Sequence, residues 1–266
     1  SELEPGSGES LAASDAAHDG GGGVRVAAGR VPSLGTVELA AELAHVPSGA
    51  PPRVEADDLR RGRGGRTSGI LVTVCIVHHE RGHVLLQTLD SVREQTLLPW
   101  MVEVVVVDDG SRRKEPLALL VTLADWPEFA SGAWQLLRRP PRYLGASRND
   151  AVRHARGEYI YFLDDDNVLK PHALETLVGA ARVSGAHVLT SLNEKWPSER
   201  RPPAAAEDTE RFLPLGGAAV VGVFKNCFGD ASALVRRDAF DTLGGFTQDI
   251  NTGHEDWELW ARAVLR

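Results

Sequence analysis

Five of the six residues in VEVVVV (102–107) are valine, and the segment runs straight into Asp108, Asp109, Gly110 and Ser111. Branched side chains pack well on a pleated surface, and an apolar run without alternation marks a strand covered on both faces. That requirement points to a layered α/β fold, a buried and mostly parallel sheet held between helices. Two further runs share the pattern. ILVTVCIV (70–77) leads into His78, His79, Glu80 and Arg81, and EYIYFL (158–163) leads into Asp164, Asp165, Asp166 and Asn167.

Helical periods separate these strands. Leu85, Leu89 and Val92 fall at i, i+4 and i+7, which is one face of a helix. Further helices are predicted over 116–124, 146–155, 171–183 and 237–243 and from Asp256 onward, with strands at 134–137, 186–191 and 231–235. Strands alternating with helices give βαβ units and an open, Rossmann-like sheet. The polar, Pro-rich stretch 193–217 is a long excursion, of the kind that forms a surface or substrate loop. Residues 1–68 are different in texture, with four consecutive glycines at 20–23 and few large apolar side chains. Such a segment buries too little surface to offset its ordering entropy. It is expected to be a low-complexity tail or linker with one short helix at 36–46, and the folded domain is placed at 69–266.

Acidic residues outnumber basic ones, 37 to 29, for a formal net charge of -8. Bulk nucleic-acid binding needs a positive footprint for the phosphates, so no nucleic-acid partner is expected. The two cysteines, Cys75 and Cys227, make no disulfide framework and fit a reducing cytoplasm. No apolar run is long enough for a transmembrane segment, and SELEPGSGES has neither a basic nor an apolar signal region. A cytoplasmic location is expected, and a peripheral encounter with the inner membrane face needs no visible anchor. The first residue is Ser1, not methionine, so the chain is read as a processed form or a piece of a larger multidomain protein.

In open α/β sheets, ligands bind beyond the carboxyl ends of the strands. The three polar clusters therefore mark the candidate site. Asp164, Asp165 and Asp166 would repel one another if left alone, and a divalent cation removes that cost. In extended backbone Asp164 and Asp166 share a side and offer hard oxygen ligands to one ion. A plainer reading has Asp166 or Asn167, before Pro171, capping the helix that starts there. A calcium loop fails, because Val168 and Leu169 stand at its fifth and sixth positions. His78, His79 and His83 lack the further ligands of a transition-metal set. His79 is better placed to offer a ring face to a base. Trp257 and Trp260 suit the core at least as well as a sugar platform. Arg236 and Arg237 read as a solvated face, not a phosphate clamp.

The segments VTVCIVHHER, VVVVDDGS, GASRNDAVRHARGEYIYFLDDDN and GGFTQDINTGHEDWELWARA follow one another in this order. Together, over about 71–262, they resemble glycosyltransferase family two. The resemblance implies a GT-A fold, a single catalytic domain, and inverting transfer of a sugar from a nucleotide-sugar donor, usually a UDP-sugar, with Mn2+ or Mg2+. It implies a DxD element at Asp164–Asp166, with Asp166 as metal ligand and Asp164 or Asp165 near the ribose and diphosphate. Asp108 and Asp109 resemble the acidic pair that recognises base and ribose, and Arg148 the arginine near the diphosphate. Glu255 and Asp256 resemble the pair that supplies the catalytic base, with Asp256 first. The run His78–His79–Glu80 departs from the family's usual Pro–Thr–Tyr–Asn-like segment, so these three are candidate but altered nucleotide contacts. The acceptor is expected to be a saccharide, lipid-linked or protein hydroxyl.

Other activities fit less well. A sugar nucleotidyltransferase would open with a Gly-rich phosphate loop where this chain has HHERGH, and a dinucleotide dehydrogenase would carry GxGxxG there. A non-catalytic sugar-nucleotide-binding module is the remaining alternative.

Overall fold

The computed structural model describes residues 69–196, 209–249 and 253–266. The helix expected at 36–46 lies outside the described residues. In chain order come β1 (Val72–His78), α1 (Gly82–Arg93), β2 (Val102–Asp109), α2 (Lys114–Ala124), α3 (Pro127–Ala130), β3 (Gln135–Arg139), α4 (Leu144–His154) and β4 (Tyr159–Asp164). Then follow α5 (Ala173–Ser184), β5 (Val188–Thr190), β6 (Asn193–Lys195), β7 (Glu210–Phe212), α6 (Ala219–Gly222), β8 (Ala233–Arg236), α7 (Arg237–Leu243) and α8 (Glu255–Val264).

One sheet has the order β3-β2-β1-β4-β8-β5. The strands β3, β2, β1 and β4 run parallel, with His78 opposite Asp108 and Val77 opposite Asp164 at their carboxyl ends. Alternate side chains leave the sheet on opposite faces. Val72, Val74, Ile76, Val104, Val106 and Leu163 pack under Leu85 and Leu89 of α1, Leu120 and Leu123 of α2, and Leu174 and Val178 of α5. The intervening Cys75, Val105, Val107, Ile160 and Phe162 pack against Ala151 of α4, Phe240 of α7, and Leu259 and Trp260 of α8. Both faces are covered, which is why β1 and β2 are buried along their whole length. The fold is therefore mixed α/β, with a mostly parallel six-stranded sheet between helices.

Two features differ from expectation. The strand expected at 231–235 enters as β8, antiparallel to both β4 and β5. Thr190 at the end of β5 lies opposite Ala233 at the start of β8. The chain thus leaves the sheet and re-enters it at the same edge, and without a crossover that return must be antiparallel. The excursion at 193–217 is not all loop, because β6 and β7 pair as a ribbon, Asn193 opposite Phe212. Among the described residues no helix is long and apolar enough to cross a membrane.

Candidate active site

The carboxyl ends of β1, β2 and β4 bring the three polar clusters together, and each cluster is tied down by side chains distant in sequence. Beyond β1, Glu80 adopts a left-handed backbone (φ 61), a conformation uncommon for a residue with a Cβ. Its amide donates to Ser111 Oγ at 2.9 Å, and its carboxylate accepts the amides of Arg112 and Arg113. Those backbone donors, opposed in part by desolvation, hold the Glu80 carboxyl below its ordinary range. The turn is therefore a clamp between the ends of β1 and β2. His79 is exposed, with Nδ1 2.9 Å from the Asp109 carbonyl oxygen.

Asp108 and Asp109 are buried. Asp108 accepts the Ser111 amide and lies 3.4 Å from Arg138 Nε. Asp109 accepts the amides of Arg142 and Tyr143 and the Ser147 hydroxyl, which fastens β2 to the first turn of α4. Gly110 is required between them and α2: at φ 80, a Cβ would stand 2.8 Å from the Pro141 nitrogen.

The acidic cluster is a turn rather than extended strand, closed by the Asn167 amide on the Asp164 carbonyl at 3.1 Å. The three carboxylates consequently separate. Asp165 is buried, its Oδ2 2.8 Å from His78 Nδ1 and its Oδ1 2.5 Å from Arg81, while Asp166 is exposed and pairs with the same guanidinium at 2.5 Å. His78 Nε2 is buried without a hydrogen-bond partner among the described residues. Neither Asp166 nor Asn167 caps α5, which starts after His172 with no side-chain cap.

Arg148 on α4 crosses the crevice. One side of its guanidinium meets Asp164 Oδ1 at 2.7 Å and the other Glu255 Oε1 at 2.5 Å. Burial opposes its charge, but the two carboxylates more than offset this and hold it firmly protonated. Arg148 is only 4% exposed, so it links β4 to α8 instead of standing free. Asp256, one residue on, is half-buried and makes no ion pair among the described residues. Burial pushes its carboxyl up, and the neighbouring Glu255 and Asp230 charges act in the same direction. The Trp257 amide, 2.6 Å from Asp256 Oδ1, and Arg148 partly oppose that rise.

Two residues that border this crevice carry no motif of their own in the sequence. Arg81 stands within the polar run after β1, and Asp230 lies outside every marked segment. Asp230 comes to this edge because β8 is antiparallel. It accepts Asn193 Nδ2 and the Ser232 amide, both at 2.9 Å, and its carbonyl accepts Trp260 Nε1. The antiparallel strand also carries Arg236 and Arg237 to the opposite edge. There Arg236 pairs with Asp238, and Arg237 donates to carbonyls at the end of α4. Trp260 is core, and Trp257 is half-buried with Nε1 donating to the Gly222 carbonyl.

Among the described residues no group of three or more metal-capable side chains is gathered. Asp164 and Asp166 are nevertheless 36% and 42% exposed at their side chains. Each also keeps one carboxylate oxygen without a hydrogen-bond partner among the described residues. Each is a hard oxygen donor of the kind that Mg2+ or Mn2+ takes.

The model of the family described as Glycosyl transferase family 2 matches residues 73–244, from the first strand through the turn after α7. The chain belongs to glycosyltransferase family 2. Among curated relatives, this glycosyltransferase domain is 26% identical over 201 residues to the uncharacterized glycosyltransferase YwdF of Bacillus subtilis, covering 73% of this chain and 68% of YwdF. It is 28% identical over 106 residues to WfgD of Escherichia coli, named as a UDP-Glc:alpha-D-GlcNAc-diphosphoundecaprenol beta-1,3-glucosyltransferase, covering 40% of this chain and 38% of WfgD. Among solved structures, Staphylococcus aureus TarS 1-349 in complex with UDP-GlcNAc superposes with a TM-score of 0.57 at 18% identity. That match covers 74% of this chain and 54% of the TarS chain, and it supports the fold.

Proposed function

We propose that this domain transfers a sugar from a UDP-sugar to an acceptor hydroxyl with inversion at the anomeric carbon. Asp256 acts as general base, and Asp164 and Asp166 hold a Mn2+ or Mg2+ ion. The observation that carries the reading is the Arg148 bridge, Asp164 on one side and Glu255 on the other. It fixes the base helix α8 to the acidic turn, so a donor at the turn and a hydroxyl at Asp256 meet across one crevice. The donor class is supported by the family, by the UDP-sugar in WfgD's name and by the UDP-GlcNAc in the TarS complex.

Asp256 needs a modest proton affinity to take the acceptor's proton as the hydroxyl attacks, and its raised carboxyl suits that role. Glu255 is committed to Arg148 and positions the helix. The metal, when bound, would supply charge neutralisation at the departing diphosphate. Direct displacement needs no protein nucleophile, and the buried Cys75 thiol, pushed far up by burial, is not one. The acceptor is a saccharide, lipid-linked or protein hydroxyl; WfgD's name specifies a lipid-linked one for that enzyme.

The test is a calorimetric titration of UDP, GDP and dTDP, with and without Mn2+, on the wild type and Asp166→Ala. Metal-dependent UDP binding that the variant loses is expected. If no nucleotide binds with metal present, the active-transferase reading fails and a degenerate module takes its place.

A further inference from the structure

Arg81 makes the contact that a metal ion would be expected to make. Its two terminal nitrogens reach Asp166 Oδ2 and Asp165 Oδ1, each at 2.5 Å. A fork of donors across two adjacent carboxylates resembles the way an arginine grips two oxygens of a diphosphate. The backbone under Arg81 is fixed, because the Glu80 clamp precedes it and α1 begins directly after it. The side chain is half exposed, however, so it can leave the turn and stay solvated. Its departure does not strand Asp165, which keeps His78 Nδ1 and is held at its carbonyl by Thr88 Oγ1. Asp166 is different: Arg81 is its one ion-pair partner among the described residues.

We propose that Arg81 is a displaceable counter-cation. It neutralises the Asp165–Asp166 turn until a divalent cation claims Asp166, and the released guanidinium then grips the donor's diphosphate. The inference rests on the donor-site reading above. It makes metal and Arg81 competitors for Asp166 but partners for the nucleotide. The chain would thereby avoid a bare acidic turn without metal and gain a diphosphate contact with it.

The experiment measures Mn2+ binding to the wild type, Arg81→Ala and Arg81→Lys by the electron paramagnetic resonance signal of free Mn2+, without nucleotide, and then UDP affinity at saturating Mn2+. Arg81→Ala is expected to bind Mn2+ alone roughly two- to five-fold more tightly, the strength of a half-exposed ion pair. The same variant is expected to bind UDP about tenfold or more weakly, the loss of a charge-assisted contact. Arg81→Lys keeps the charge without the fork and should fall between on both measures. The opposite signs separate this device from misfolding, which would weaken both. Unchanged or weaker Mn2+ binding in Arg81→Ala overturns the competition, and unchanged UDP affinity overturns the diphosphate contact. If the wild type binds Mn2+ but no UDP, the donor-site reading fails, while the Mn2+ comparison still decides whether Arg81 competes.

Discussion

Asp256 carries a charge that its surroundings resist, and that resistance has two measurable consequences. Burial raises its carboxyl, with Glu255 and Asp230 adding to the rise. A carboxyl raised in the fold favours the protonated form there. Its contribution to stability is present at pH below the unfolded value, about 3.9, and is lost as pH rises through the folded value. Near neutral pH the ionised side chain therefore costs stability. Asp256→Asn removes that cost and keeps an oxygen for the Trp257 amide, so it should melt at a higher temperature than the wild type at pH 7. The gain should fade toward pH 3 in scanning calorimetry. The same substitution removes the proposed base, and turnover should fall by about 10²–10⁴-fold while UDP affinity holds. Equal melting temperatures at pH 7 would deny the strain; undiminished turnover would deny the role. The acid limb of kcat/KM should lie above the ordinary aspartate range, and Glu255→Gln should move it to lower pH by removing a neighbouring negative charge.

Among the elements, α4 does most to assemble the site. Its first turn accepts β2 through Ser147 and Asp109, its Arg148 spans to Asp164 and Glu255, and its Asn149 grips the segment before α8. Asn149 Nδ2 donates to the Phe246 carbonyl at 2.8 Å and Oδ1 accepts the Phe246 amide at 2.9 Å. The Phe246 ring lies 5.3 Å from the Arg148 guanidinium and packs on Phe162 and Trp260. Asn149→Ala orphans two buried backbone groups, at about 1–3 kcal/mol each, and loosens the seat of α8. Denaturant unfolding should show that loss, and kcat should fall more than UDP affinity. A loss below about 0.5 kcal/mol would contradict the seat. The elements themselves were legible in the sequence. The unalternating apolar runs at 70–77, 102–107 and 158–163 marked buried strands, and the polar residues after them fell at one edge, as the topology of parallel sheets requires. What was illegible was pairing at a distance. Arg81 meets Asp166 across 85 positions, and Arg148 meets Glu255 across 107. Nothing local marks those partners. Nor did local pattern reveal that Asp165 turns inward, because an extended strand was assumed where a turn occurs. The direction of β8 depends on where the chain re-enters the sheet, which composition does not encode.

On the scale of the whole molecule, the two edges of the sheet are specialised. The edge where the parallel strands end gathers the exposed or half-buried carboxylates Asp164, Asp166, Asp230 and Asp256. The edge where they begin holds a charge cluster built on a buried carboxylate. There Glu103, fully buried, accepts Thr73 Oγ1 and Arg156 Nε at 2.5 Å, and Thr73 Oγ1 in turn accepts the Gly157 amide. Glu103 is fully buried, but the Arg156 side chain is 44% exposed, so its loss leaves a buried carboxylate short of one partner, at about 1–3 kcal/mol. Arg156→Ala should fall near the middle of that range, since Thr73 and the Arg156 amide still serve Glu103. Cys75, two residues along β1 from Thr73, reports the loss. Its thiol is 1% exposed and pushed far up by burial, so an alkylating reagent reaches it only when the sheet opens. A loss of about 2 kcal/mol should speed Cys75 labelling roughly thirtyfold, because each 1.4 kcal/mol is a factor of ten. UDP affinity should stay within twofold or so, because the site lies at the other edge and couples weakly to a distant, independent substitution. Fast labelling with intact binding would establish that the fold is secured at one edge so that strain can be kept at the other. Impaired binding together with fast labelling would mean that the two edges move as one, and that the charge cluster belongs to the function as much as to the fold.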